Sequence, residues 1–283
     1  MDENDKDLFR PKFLFQQTVA NLKKWGSRLP KTELEPTVRD SVTFVGHSTL
    51  MYDLAGVKII TDPLLYNQIK HIRKNTPIAR QTIPRQFDLI LITHFHMDHF
   101  HYPSLKLLDK TAHVIAPRGA KTKLNRLGFS SVEELAIGQE IEFRGLKITA
   151  VECNHDGRRY YSGPKCDTLS YLIASPQFKL FSCGDTAFTH KFDYITCDIS
   201  FMPVGCYTPV QLQDRHCSPE QSFKMFQAMD AKVFVPIHFG TLQLALDNEL
   251  HTLKRIIDLQ RIHPEVKMLE IGKNYPLRQI LDS

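Results

Sequence analysis

The chain has 283 residues, with 36 Lys and Arg against 31 Asp and Glu, a net charge of +5 and 42% hydrophobic residues. That balance excludes a disordered chain, and no apolar run approaches the roughly 20 residues that cross a bilayer. The opening MDENDKDLFR lacks the basic-then-apolar layout of a signal peptide, so a cytoplasmic protein is expected, and the mild charge requires no nucleic-acid partner.

Residues 1–40 differ from the rest of the chain. No acid occurs from Leu8 to Thr32, whereas Arg10, Lys12, Lys23, Lys24, Arg28 and Lys31 do, and Phe15, Val19, Leu22 and Leu29 fit a helical stripe near Trp25. A basic amphipathic helix either docks on its own domain or lies on a membrane. Docking is the expected outcome, with peripheral membrane contact through residues 8–32 as the alternative. Pro30 and Pro36 bracket a linker. Residues 1–40 therefore read as an arm and linker, and 41–283 as one domain.

From Ser41 the texture changes to strands. SVTFVGHSTLMYDLAGVKIITDPLL holds two β-rich runs joined by DLAG, a hairpin signal, and FDLILIT and HVIAP read as buried strands. EIEFRGLKITAVEC forms two alternating strands around Arg144-Gly145, and TLSYLIAS, FKLFSCGDT, CDISFMPVG and KVFVPIHFG continue the series. Helical stretches lie between them at YPSLKLLDK, AKTKLNRLG, PEQSFKMFQAM and NELHTLKRIIDLQRI. Strands early, with helices inserted between later ones, argue for an α/β layered domain. The six cysteines, Cys153, Cys166, Cys183, Cys197, Cys206 and Cys217, form no C-x-x-C pair and read as reduced, mostly buried thiols.

The stretch THFHMDHFH places four histidines and an aspartate in nine positions directly after FDLILIT. Ligands there stand on backbone held by a buried strand. The spacing of His94 and His96 turns both rings to one side of an extended chain, and Asp98 and His99 return across the turn. Mixed imidazole and carboxylate donors suit zinc and other first-row metals, and sets without thiolates are typical of catalytic sites with a position open for water. Three further candidates also stand just past apolar runs: His155 after LKITAVEC, Asp185 after FKLFSCG, and His238 after KVFVP.

Here the sequence resembles the metallo-β-lactamase superfamily, whose metal pattern H-x-H-x-D-H stands as HFHMDH, followed by a strand-end His, a G-D-T Asp and a late His. The likeness runs from about Val42 to Ile257. FVGHSTLMYDLAGVKIITDPLL resembles the opening of the branch containing ascorbate-6-phosphate lactonase and the phospholipase D that hydrolyses N-acyl-phosphatidylethanolamine. PVGCYTP, HCSPEQSF and VPIHFGT match the phospholipase side better. The resemblance implies a four-layer αββα sandwich with a dinuclear site at one edge of its two sheets. It implies two divalent ions, zinc first with manganese or iron as alternatives. His94, His96 and His155 would hold one ion, Asp98, His99 and His238 the other, and Asp185 would bridge them. A bridging hydroxide would be the nucleophile. Asp98, Asp185 and His216 are the side chains tied most directly to catalysis.

Outer positions are assigned from the same motifs. Asp62 in TDP either orients a ligand imidazole or caps the turn before Pro63, and His47 in GHST is expected to be structural. His216 precedes a helix start, with Ser218 as N-cap, Pro219 at the first position and Gln221 at the capping-box place. In the resembling phospholipase this histidine faces the pocket, where it would bind phosphate or assist proton transfer; an exposed loop histidine is the competing reading. His101 stands where related sequences carry an acid, and it is not assigned as a ligand. Cys153 and Cys183 each stand two residues before a candidate ligand and would share its face on extended chain, either near the metals or as small core filler.

The expected function is hydrolysis of a phosphodiester by a dinuclear centre, phospholipase D-like or on a related anionic substrate. Acid-free blocks fit an anionic partner, although each alone reads first as a solvated face: Lys70, Arg73, Lys74, Arg80 and Arg85 in one, Lys110, Arg118, Lys121, Lys123 and Arg126 in the next, with Arg158, Arg159 and Lys165 beyond. The alternative is a lactonase or carboxyl-ester hydrolase acting on a phosphorylated sugar. A binding protein on a hydrolase fold ranks last, because every ligand position is filled. Oligomeric state is not legible.

Overall fold

The computed structural model describes residues 11–22, 29–160 and 165–283. Helix α1 (Pro11–Leu22) precedes strands β1 (Ser41–Gly46), β2 (Thr49–Leu54) and β3 (Val57–Thr61), then a small hairpin of β4 (Gln68–Ile69) and β5 (Ile72–Arg73). Next come β6 (Leu89–Leu91), α2 (Tyr102–Leu107), β7 (His113–Pro117), α3 (Lys121–Asn125) and β8 (Val132–Leu135). The second half holds β9 (Glu140–Phe143), β10 (Leu146–Glu152), β11 (Leu169–Ala174), β12 (Lys179–Ser182), β13 (Thr196–Pro203), α4 (Pro219–Ala228), β14 (Asp230–Ile237) and α5 (Glu249–Ile262). The chain ends with β15 (Asn274–Pro276) and α6 (Leu277–Asp282).

One sheet runs β15-β1-β2-β3-β6-β7-β8 and the other β14-β13-β12-β11-β10-β9. Turn chemistry sets the hairpins. Ala55 and Gly56 both take positive φ between β2 and β3, with Gly56 N donating to Asp53 Oδ1 at 3.0 Å, the conformation a two-residue hairpin turn demands. Arg144 and Gly145 do the same between β9 and β10. The alternation of each strand then sorts its side chains to two faces. Val42, Phe44, Tyr52, Ile59 and Leu91 meet Ile148, Tyr171, Leu180, Phe201 and Val235 in one core between the sheets. Val45, Ile60, Ile90 and Val114 face outward under Leu105 and Leu124 of α2 and α3. Phe181, Met202 and Phe234 face outward under Phe223 and Phe226 of α4 and Ile256 of α5. Burial of each such side chain contributes about 1.5–3 kcal/mol. The three cores define four layers, α, β, β and α.

Several details differ from the sequence reading. The first segment makes three strands rather than two, because the chain also reverses at His47-Ser48. The C-terminal residues supply an edge strand, with Val42 paired to Tyr275. The expected linker is packed down: Leu34 is buried, Thr32 N donates to Pro77 O at 2.8 Å and Glu35 N to Gly272 O at 2.7 Å. Helix α1 docks through Phe13, against Cys206, Leu212 and Ala245, and through Gln17 Nε2 to Leu244 O (2.6 Å) and Asn21 Nδ2 to Gln243 O (3.1 Å). The apolar stripe is turned away, with Phe15 68% and Leu22 56% exposed. Trp25 and the rest of residues 23–28 lie outside the described residues. No described helix is long and apolar enough to cross a membrane.

Candidate metal centre

The ends of β6, β10, β12 and β14, with the turns after β1 and β3, converge at one edge of the two sheets, and every sequence-assigned ligand stands there. Short backbone bonds brace them: Leu169 N to Thr93 O (2.9 Å), Phe95 N to Gly157 O (3.0 Å), Ala187 N to Asn154 O (2.9 Å) and His238 N to His47 O (2.9 Å). Gly184 permits this approach, since a Cβ there would lie 2.5 Å from Leu169 O. His47, Asp62 and His238 all hold left-handed backbone, at φ of 58°, 38° and 61°, a conformation that costs energy and persists where the surroundings enforce it.

Three overlapping groups of donor atoms result among the described residues, the smallest made of Asp185, His216 and His238. His94, His96, His155 and Asp185 each offer one within 4.8 Å of the others, and so do His47, Asp98, His99 and His238. Asp185 joins the groups. Its Oδ2 lies 3.8 Å from His94 Nε2 and 3.3 Å from His99 Nε2, and its Oδ1 lies 3.1 Å from His238 Nε2. All seven expected ligands are thus brought together, and His47 joins the second group as a residue the sequence reading treated as structural.

Outer partners fix which nitrogen of each ring is bare. Asp62 accepts Thr93 N at 2.8 Å, Thr93 Oγ1 at 2.6 Å and His99 Nδ1 at 2.7 Å. Because Thr93 donates its hydroxyl proton to Asp62, its oxygen accepts His94 Nδ1–H at 2.9 Å. The Arg215 carbonyl accepts His155 Nδ1–H at 2.9 Å. Each bond leaves Nε2 with a free lone pair. Asp62 therefore orients the imidazoles of His99 and, through Thr93, His94, as the first of the two roles open for it requires.

Charge completes the picture. Burial, then the neighbouring imidazoles, push His94 well below the ordinary histidine pKa, and burial with His96 lowers His155 to about 4. Neutral imidazole is the metal-binding form. Burial disfavours the Asp98 and Asp185 carboxylates, but His99 and His47 around the first and His238 and His99 around the second hold both ionised. Burial also opposes a charged His99, yet Asp185, Asp98 and Asp62 raise it well above its usual value. The pocket thus favours positive charge, met either by a proton on His99 Nε2 or by a cation that replaces that proton and frees the lone pair. His94 Nε2, His99 Nε2, His238 Nε2 and Asp185 Oδ1 are buried without a hydrogen-bond partner among the described residues. Converging lone pairs around ionised carboxylates fit divalent cations.

His47 is lowered to about 4, by burial first and His238 next. As a neutral ring beside an ionised carboxylate, it donates Nε2–H to Asp98 Oδ2 at 2.8 Å. His216 roofs the site, with its ring 5.0 Å from that of His155 and 5.7 Å from that of His238, and Nδ1 3.8 Å from Asp185 Oδ2. The helix start behind it carries the expected capping box of Ser218 and Gln221 with Pro219 at the first turn.

The structure also places the two cysteines, His101 and the basic blocks. Cys153 and Cys183 share Ser170 Oγ at 3.0 and 3.3 Å inside the outer core under α4, so they are filler and face away from the ligands that come after them. His101 turns to Ser104 Oγ at 2.7 Å, next to Tyr66. Several cations of the basic blocks serve the interior instead of a surface. Lys74 is buried and donates to Leu64 O (2.7 Å), Arg159 Nη1 donates to Phe95 O (3.1 Å) and Phe100 O (2.8 Å), and Arg158 pairs with Asp156.

A family model described as a Beta-lactamase superfamily domain matches residues 58–239, well over half of the chain. A UPF0173 metal-dependent hydrolase of Methanopyrus kandleri is 24% identical over 83% of this chain and 98% of its own length. An N-acyl-phosphatidylethanolamine-hydrolyzing phospholipase D of Caenorhabditis elegans is also 24% identical, over 70% of this chain and 63% of that protein. Among solved structures, a metallo hydrolase of the archaeon Ignicoccus hospitalis superposes with a TM-score of 0.63 at 20% identity, covering 83% of this chain and 97% of the other. The chain belongs to the beta-lactamase superfamily and has the metallo-β-lactamase fold.

Proposed function

We propose that this protein is a metal-dependent hydrolase that uses two divalent ions on a phosphodiester, phospholipid-like or otherwise anionic. One ion is held by His94, His96 and His155 and the other by Asp98, His99 and His238. The observation that carries this reading is Asp185, a single carboxylate within 3.8 Å of donor nitrogens from both groups. Zinc suits this donor set best, with manganese or iron as alternatives.

When bound, such ions would supply an activated water and a Lewis acid for the leaving oxygen. The chain's own residues do the remainder. Asp62 and the Arg215 carbonyl hold the imidazoles in register, His47 steadies Asp98, and Asp185 spans the centre. His216 stands beside Asp185 with Nδ1 buried and unpaired among the described residues. It would hold a substrate oxygen or assist proton transfer to the leaving group. The phosphodiester assignment draws support from the PVGCYTP, HCSPEQSF and VPIHFGT segments and from the likeness to the phospholipase of Caenorhabditis elegans. Metal-loaded protein assayed on bis-p-nitrophenyl phosphate, phospholipids and lactones tests it. Phosphodiester turnover is expected, and fast lactone hydrolysis without any phosphodiesterase activity would move the protein to the lactonase alternative.

A further inference from the structure

His94, His99 and His155 each have Nδ1 held by a protein group and Nε2 turned inward. His238 departs from this pattern. Its Nε2 faces Asp185 Oδ1 at 3.1 Å, but its Nδ1 is buried with no partner among the described residues. His238 also lines a small cavity, partly open to solvent and with room of about 20 Å³, together with Gly205, Cys206, Ala245, Asp247 and the polar side chains of Asn75 and Thr252. Asp247 brings a second orphan to the same space. Its Oδ2 accepts Cys206 N at 2.5 Å and Tyr207 N at 3.3 Å, Thr208 also donates to the carboxylate, and Oδ1 is buried with no hydrogen-bond partner within bonding distance among the described residues. The wall at Gly205 is bare backbone, since a Cβ there would collide with the His238 carbonyl oxygen. A cavity of this size holds one water, and a buried water needs polar partners such as these two.

We propose that Asp247 is a positioning residue for His238, acting through one buried water that accepts His238 Nδ1–H and donates to Asp247 Oδ1. The bridge reproduces what Asp62 does for His99, with a water inserted. It keeps Nε2 bare, fixes the ring plane and places a carboxyl acceptor behind the imidazole, which strengthens it as a donor. It also joins the segment after β13, held at Cys206 and Tyr207, to the strand end that carries His238.

This inference rests on the two-ion reading, and its test separates the two. Metal-stripped protein is titrated with Co²⁺ by absorption and with Zn²⁺ by calorimetry, and the melting temperature of each metal-free protein is recorded. In Asp247→Asn the amide oxygen still accepts from Cys206 and Tyr207, but a donor now faces the water. The expected result is an unchanged metal-free melting temperature and a loss of about 10–100-fold in affinity at one of two sites, the other unaffected. Ala245→Val keeps the carboxylate but fills the cavity, and it should weaken the same site. A crystal structure of the wild type should place a water within hydrogen-bonding distance of both atoms. Two sites at wild-type affinity in Asp247→Asn, equal weakening of both with a lowered metal-free melting temperature, or a dry cavity would each overturn the bridge alone. A wild-type protein that binds one ion or none would overturn the two-ion reading and the bridge with it.

Discussion

Asp62 Oδ2 lies 2.7 Å from His99 Nδ1, while the same carboxylate holds Thr93 by both its N–H and its hydroxyl. One buried acid thereby sets His99 directly and His94 through Thr93. Asp62→Asn retains a residue that tolerates its left-handed backbone but loses the capacity to accept all three bonds. Metal affinity should fall about 10–100-fold in a chelator competition. Affinity equal to wild type would reduce Asp62 to a turn cap.

His47 supports Asp98 rather than the ion. His47→Asn, chosen because asparagine accepts positive φ, should still bind two ions, with the site of Asp98, His99 and His238 weakened by about tenfold or more. Complete loss of that ion in a metal titration would make His47 a ligand instead.

Lys74 gives a pH dependence away from the centre. Burial lowers its pKa from 10.5 to about 7. Between pH 7 and 10.5 the unfolded chain therefore binds more protons than the folded one, and stability rises with pH in that window. Subtracting the urea midpoints of Lys74→Met from those of wild type across pH 6–10 should give a difference that grows with pH. A flat difference would mean that Lys74 is charged in the folded protein.

The outward stripe of α1 bears on the membrane alternative. Phe15 and Leu22 are exposed while Gln17 and Asn21 hold the helix to the domain. Phe15→Asp with Leu22→Asp, or deletion of residues 1–36, should lower sedimentation with anionic vesicles several-fold. Unchanged sedimentation would leave the segment a docked arm.

The convergence of the candidate ligands was legible because their signal is local: donor type, spacing and a place just past an apolar run. His94, His96, Asp98 and His99 needed only one strand end, and the layered fold followed from the alternation around it. What supports the ligands was not legible. The bond from His47 to Asp98 depends on left-handed backbone at residue 47, and Asp247 meets His238 through loops with no motif. Charge counts say little about contacts, since a sequence does not say what a cation will satisfy. Lys110 Nζ ends on the Leu105 and Leu108 carbonyls, and Arg159 clamps the loop of the cluster. Docking of α1 follows from its composition, but the face it uses does not: Gln17 and Asn21 find carbonyl partners in residues 243–244, while Phe15 and Leu22 stay exposed.

The most direct measurement is the metal content per chain of wild type and Asp185→Ala, taken with hydrolysis of bis-p-nitrophenyl phosphate on the same preparations. The account predicts two ions per wild-type chain, with loss of the pair and of more activity than the ~100-fold typical of outer partners in the variant. A single ion in the wild type, or activity that survives Asp185→Ala, would contradict it.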